Sequence, residues 1–255
     1  MPIPAVMFAF QVTGLVIVLA VVAARWHGPP EESHLIYGLL AGVSGAVGLT
    51  ALYRAMTVGA MSIVTPIAAT SAAVPVIVGF TQGDRPSSVQ DVGFVLAFVG
   101  VVLASREEVH EARTDTRIAA GVGFALFAAL CFGWSLVGLH AAAANGGDAL
   151  WGTLMLRISG VAVAVVLVAV TRTRLRGRRR ELVSVAPVGL YDSTGVIAFS
   201  LASTRGLISV VSVLSSLFPV VTVALATILL HERVSRLQAV GVALAIAGAA
   251  ALAAG

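Results

Sequence analysis

The sequence predicts an all-α, polytopic membrane bundle, with about nine transmembrane helices in two inverted repeats and the first repeat one helix short. Three observations carry this expectation. Of the 255 residues, 58% are hydrophobic and only 11% are charged, whereas a soluble domain uses roughly 25% charged residues to cover its surface. Apolar runs of spanning length follow one another along the whole chain. Residues in the two parts of the chain also match at a nearly constant offset.

A helix that crosses the hydrocarbon layer needs about 20 mostly apolar residues. The first run covers about 3–25. It follows Met1-Pro2-Ile3-Pro4 with no basic stretch or cleavage site, so it reads as a retained membrane helix and not a signal peptide. The stretch Arg25 to Glu32, with Gly28, Pro29 and Pro30, ends it. Runs at about 35–56 and 60–81 are parted only around Gly59, which demands a tight antiparallel hairpin. Pro66 and Pro75 lie inside the third run; each removes a backbone donor and kinks a helix, widening a cavity or supplying a hinge, or being merely tolerated by packing. Gln82 to Pro86 turns the chain into a run at about 88–105. Residues 1–105 thus form an incomplete first repeat of four helices, 106–117 a linker loop, and 118–255 a second repeat of five helices. Its runs fall at about 118–142, 148–171, 185–204, 207–230 and 235–254. They are separated by Asn145 to Asp148, Arg172 to Arg180, a second tight hairpin at Gly206, and His231 to Arg233; Pro219 lies inside the fourth of them. Small residues recur at four-residue spacing, as in Gly38, Ala41, Gly42 and Gly45 or Gly241, Ala245 and Ala249. In lipid such residues let backbones approach closely and so drive packing.

The internal match is specific. At an offset of 146, Thr13 falls on Ser159 and Gly14 on Gly160. At 147, Gly42 falls on Gly189, Gly48 on Gly195, Ala55 on Ala202, Thr57 on Thr204, Gly59 on Gly206 and Ser62 on Ser209. At 148, Asp84 falls on Glu232, Ser87 on Ser235, Gln90 on Gln238, Gly93 on Gly241 and Gly100 on Gly248. The offset spans five helices, an odd number, so matched helices cross the membrane in opposite directions. Inverted repeats typify secondary transporters, with a central site that opens alternately to each side. The helix at about 118–142 has no mate; its partner would precede Met1. Either the chain begins further upstream or a helix has been lost, and a homodimer or a partner protein is what would supply it.

Ionisable groups within apolar runs are costly and face the bundle interior. Arg157 lies about nine residues into its run, roughly 13 Å deep. It either meets an anionic substrate group or backbone carbonyls in a central cavity, or ties neighbouring helices together. Asp192, near the start of its run, either carries a proton or is a solvated acid at the helix mouth. Trp134, Tyr53 and Tyr191 line a cavity or a helix interface. Arg54 snorkels, His140 is a satisfied polar residue at a helix end, and Glu232 caps the last helix or pairs with Arg233 and Arg236. Cys131 is the only cysteine, which excludes an intrachain disulfide. The chain carries no Walker sequence, no His-Glu-x-x-His and no Ser-His-Asp set in usable spacing, so the expectation is no enzyme, no cofactor and no metal. Arginines cluster in loops without interleaved aromatics, which argues against nucleic acid. The dense Arg172 to Arg180 loop predicts a cytoplasmic side for itself and an outer side for Gly255.

The stretch Phe218-Pro219-Val220-Val221-Thr222, then Leu229-Leu230-His231-Glu232-Arg233-Val234-Ser235, then Gln238 and Gly241 to Gly248, resembles the EamA-type transporters of the drug/metabolite transporter superfamily. His231 stands where that family usually has Gly. The resemblance covers nearly the whole chain and implies ten helices in two five-helix inverted repeats, with a C-terminus in the cytoplasm, against the charge bias. It implies a role for Arg157, whose repeat partner is Gln11, a departure from the family's arginine, and for Trp134 in Phe132-Gly133-Trp134-Ser135. The function it implies is secondary transport of small metabolites across the plasma membrane by alternating access; the alternative is a transporter-fold subunit that needs a partner. Candidate translocation residues are therefore Gln11, Trp134, Arg157, Tyr191 and Asp192, and candidate hinges Pro66, Pro75 and Pro219.

Overall fold

The computed structural model describes residues 3–25, 28–59, 61–105, 115–173, 179–218, 220–221, 223–225 and 235–254, with the side chains of 3, 61–62, 115–120 and 179–186 outside that description. Among the described residues all regular structure is helical. The elements are α1 (Ile3–Ala24), α2 (Glu32–Val58), α3 (Met61–Ala69), a 3-10 turn (Thr70–Ala72), α4 (Ala73–Gln82), α5 (Ser88–Ala104), α6 (Asp115–Ala143), α7 (Ala149–Val170), α8 (Arg179–Ser203), α9 (Ile208–Ser215) and α10 (Arg236–Ala254). Among the described residues six stretches are long and apolar enough to cross a membrane: Pro4–Ala24, Glu32–Val58, Ile63–Gln82, Gly121–Ala143, Ala149–Val170 and Arg236–Ala254. The chain is thus a polytopic helical membrane protein.

Two elements differ from the expected boundaries. α8 begins at Arg179, not near 185. Hydropathy marks where a helix enters lipid, but arginine is a good helix former and carries the helix out beyond it. The third apolar run is split, with α3 giving way to the 3-10 turn before α4 resumes. Pro75 explains the place: it has no N–H to offer the carbonyl of Ser71 four residues back, so the α ladder breaks there. A break recurs in the second repeat, where α9 stops at Ser215 and a turn at Ser216 and Leu217 precedes further helix at Phe218. Pro219 lies outside the described residues. Pro187, which the sequence reading did not single out, sits inside α8 without ending it.

The chain forms two compact units, Met1–Val47 with Trp134–Arg205 and Gly48–Gly133 with Gly206–Gly255. Each draws on both repeats, so the units divide the chain differently from the sequence halves. In the first unit, α1 packs on α7 and α8 around Val18, Val22 and Leu154. In the second, α5 packs on α10 and α4 on α9, around clusters that include Ala97, Val213 and Leu252 and Ala69, Val101, Ala104 and Ala245.

The inverted repeat is visible in both units. α1 and α7 are each 22 residues long, displaced by 146 at both ends. Within the second unit, Gly93 meets Leu252, Ala97 meets Gly248, and Gly100 meets Ala245. Numbers rise along one helix as they fall along the other, so matched α5 and α10 are antiparallel. Within the first unit, Gln11 lies against Gly160 and Gly14 against Arg157, the same signature for matched α1 and α7. Matched hydroxyls also make matched hydrogen bonds. Thr13 donates to the Ala9 carbonyl (2.7 Å) and Ser159 to that of Met155 (3.1 Å). Thr57 donates to Arg54 (2.8 Å) and Thr204 to Leu201 (2.9 Å). Ser87 with Gln90, and Ser235 with Gln238, each form the reciprocal pair of bonds that caps the following helix.

Candidate functional site: a polar cluster at the centre of three helices

α1, α7 and α8 meet in the first unit because small residues let them. A Cβ on Gly42 would fall 2.1 Å from the Ser159 hydroxyl, and one on Gly189 would fall 3.0 Å from the Thr13 Cβ. These two contacts are the same contact in the two repeats. At the same level Arg157 lies over Gly14, where a Cβ would come within 2.9 Å of its Cζ and Nε, and Gln11 lies over Gly160. The glycines make room for one large polar side chain on each helix.

Arg157 is 1% exposed and Gln11 4%. The Arg157 Nη1 donates to Gln11 Oε1 at 3.0 Å. Its Nη2 forms a short ion pair with the Asp192 carboxylate, and the guanidinium stands over the Phe10 ring, 5.4 Å from the centroid. The buried Nε has no hydrogen-bond partner among the described residues. An isolated charge at this depth in hydrocarbon is costly, and pairing with a carboxylate and an amide oxygen offsets much of that cost. Arg157 and Asp192 both stand well inside their helices. Arg157 is eight residues past Ala149, roughly 12 Å along the axis. Asp192 is thirteen residues past Arg179 and eleven before Ser203, so roughly 20 and 16 Å from the two ends.

Of the expected translocation residues, Gln11, Arg157 and Asp192 come together. α8 begins at Arg179, so Asp192 lies near the middle of the helix, while its distance from the expected lipid boundary near residue 185 stays about 10 Å. Its side chain is 43% exposed. The terminal nitrogens of Arg157 are engaged by protein groups, and the atoms open to a ligand at this cluster belong to Asp192. Trp134 and Tyr191 are 57% and 77% exposed, and neither has a hydrogen bond or ring contact to the cluster among the described residues. Pro66 and Pro75 lie in the second unit, in α3 and α4, on either side of the 3-10 turn. Arg54 is exposed in the last turns of α2, and His140 is in the last turn of α6. Glu232 and Arg233 lie outside the described residues.

The repeat explains which residues meet here. Gln11 and Arg157 are repeat mates, and mates that lie near the local two-fold axis meet each other. The mate of Asp192 at the offset of 147 is Gly45, so the second repeat has both charges and the first has neither. That accounts for Gln11: an arginine there would face no acid. Asp84 was passed over. Its carboxylate accepts from the Ser209 N–H (3.0 Å) and hydroxyl (2.7 Å), capping α9 from the turn between α4 and α5.

Comparison with known proteins identifies the fold and the family. Seventeen chains of solved structures match. One crystal structure superposes with a TM-score of 0.80 over 99% of this chain and 89% of the other, at 18% identity, a likeness of fold. The search of curated protein sequences finds no match. The profile described as the EamA-like transporter family matches residues 119–254. That match runs from α6 to the end of α10 and takes in more than half of the sequence, so the chain belongs to the EamA-like transporter family.

Proposed function

We propose that this membrane protein is a secondary transporter of small metabolites in the plasma membrane, working by alternating access, with Asp192 the group its substrate reaches. Arg157 and Gln11 are positioning residues behind it. The observation that carries the reading is the division of one ion pair into a buried cation, 1% exposed, and a carboxylate 43% exposed. A fixed guanidinium holds that carboxylate at one rotamer near the middle of α8, where a hydrogen-bond donor or cation on a substrate would find it preorganised. The inverted repeat supports alternating access, because two antiparallel copies of one fold supply two equivalent conformations.

The test is uptake into proteoliposomes, with rates normalised to inserted protein. Asp192→Asn keeps shape and loses charge; it is expected to raise KM at least about tenfold, the equivalent of about 1.4 kcal/mol, with a smaller change in maximal rate. Arg157→Lys keeps charge but loses the planar fork that grips Gln11 and Asp192 together; it is expected to insert normally and transport poorly. Wild-type kinetics in both variants would remove the cluster from the transport path.

A further inference from the structure

A second site lies wholly within the second unit. Both helix breaks meet there. Thr70, in the 3-10 turn, and Ser216, in the turn after α9, stand 146 residues apart, within two residues of the repeat offset of 147 to 148 that brackets this segment, so the two breaks fall at nearly corresponding places. Thr70 donates to the carbonyl of Ile67 (2.7 Å) and Ser216 to that of Val213 (2.8 Å), the same bond in each repeat. Both residues line one cavity of about 460 Å³. Paired interruptions at corresponding positions of two repeats are where transporter folds place ligands, and this volume lies in the range of small-molecule sites, roughly 300–1,000 Å³.

The lining states the chemistry. It is almost wholly apolar, with Phe94 and Phe98 on α5 and Phe80 on α4. Phe80 and Phe94 meet edge to face at 6.3 Å, fixing one wall. Three polar residues interrupt it: Thr70, Ser216 and Asp91. The two hydroxyls are committed to carbonyls, which leaves Asp91. It stands in the first turn of α5, next to the loop, with its side chain exposed and no ion pair among the described residues. From Asp91 to Val102, the far end of the lining on α5, is eleven residues, roughly 16 Å. The cavity is thus a long apolar trough with one carboxylate at its loop end. Its rim is open at Phe80, Val95 and Phe98, 47%, 63% and 52% exposed, apolar side chains that in a membrane protein face lipid.

We propose that this trough binds an amphiphilic organic cation, its apolar body between the two helix breaks and its ammonium head at Asp91. Any acyl chain satisfies the apolar wall; the carboxylate is what selects an amine over an alcohol or an acid. The site stands independently of the transport reading at Asp192.

The experiment uses the full chain in nanodiscs of zwitterionic lipid and radiolabelled dodecylamine as the probe, with dodecanol and laurate as competitors. Dodecylamine is expected to bind saturably, displaced poorly by dodecanol and least by laurate. Asp91→Asn is expected to weaken it about fivefold, the worth of one partly solvated ion pair, while leaving dodecanol binding unchanged. Ala73→Phe, which fills the lining, is expected to abolish binding of both. Val102→Phe provides the same test from α5 should the first variant fold poorly. Displacement by dodecanol and laurate as effective as that by unlabelled dodecylamine, with no effect of Asp91→Asn, would reduce the trough to a seat for ordinary lipid tails and overturn the proposal. Absence of saturable dodecylamine binding would overturn it as well.

Discussion

Arg157 is held from three sides: Gln11 on one terminal nitrogen, Asp192 on the other and the Phe10 ring against its face. Removing either charge strands its partner, and removing both does not. Arg157→Gln and Asp192→Asn should each lower the unfolding temperature in detergent, and the double variant should lose less than the sum. The coupling should be about 1 kcal/mol, at the modest end for an ion pair because Asp192 is partly exposed. Strict additivity would show that the pair holds nothing. Gly14→Ala tests the same contact from the other helix: its Cβ would press on a guanidinium that two partners prevent from swinging away. Reduced transport at a normal inserted level is the expected outcome. Arg157 stands out in the sequence by its depth and by the resemblance to the family's arginine. The start of α8 at Arg179 was not legible, because hydropathy locates the lipid boundary and not the helix end. Gln11 was legible only as a mate of Arg157, because an uncharged residue in an apolar run gives no electrostatic signal of its own.

Helices here are joined by backbone proximity more than by side-chain bulk. A Cβ on Gly100 would fall 2.3 Å from the Ala245 backbone nitrogen, and one on Gly241 the same distance from that of Ala104. Neither neighbour is a side chain that can rotate away. Gly100→Ala should therefore part α5 from α10 and cost about 2 kcal/mol or more. Gly123, in α6, has no neighbouring atom within 4 Å; Gly123→Ala should be neutral or stabilise by up to about 1 kcal/mol through helix propensity. Thermal unfolding of the two variants side by side checks both signs. Asp84→Ala should cost about 1 kcal/mol through loss of the α9 cap, and a variant as stable as the wild type would show that water caps α9 equally well. The apolar runs and the tight hairpins at Gly59 and Gly206 were plain in the sequence. The role of Asp84 was not, because the helix it caps begins more than a hundred residues later.

The repeat fixes how the whole chain threads the membrane, whichever end is cytoplasmic. Thr57 and Thr204 are mates, both exposed near the ends of matched helices α2 and α8. In a Cys131→Ser background, single cysteines at these positions should react with an impermeant maleimide from opposite sides of sealed vesicles. Labelling from one side at both positions would contradict the inverted repeat. The same pair reports orientation, on which the arginine-rich loop and the family resemblance disagree. The offset of matched glycines and serines was enough to predict the inversion. It did not reveal that the compact units interleave the halves, because which helices pack together is a tertiary choice that a repeat period does not encode.

The seam between α5 and α10 has a consequence in time. The residues that meet at Gly100 and Ala245 are 145 positions apart, and a ribosome adds about 5–20 residues per second, so α5 waits roughly 7–30 s for its partner. Throughout that interval a strip of bare backbone at Gly93, Ala97 and Gly100 faces lipid or whatever passing helix has small residues of its own. During biogenesis the nascent first half is therefore a sticky intermediate, and a factor that shields such strips would raise the yield of correctly assembled protein.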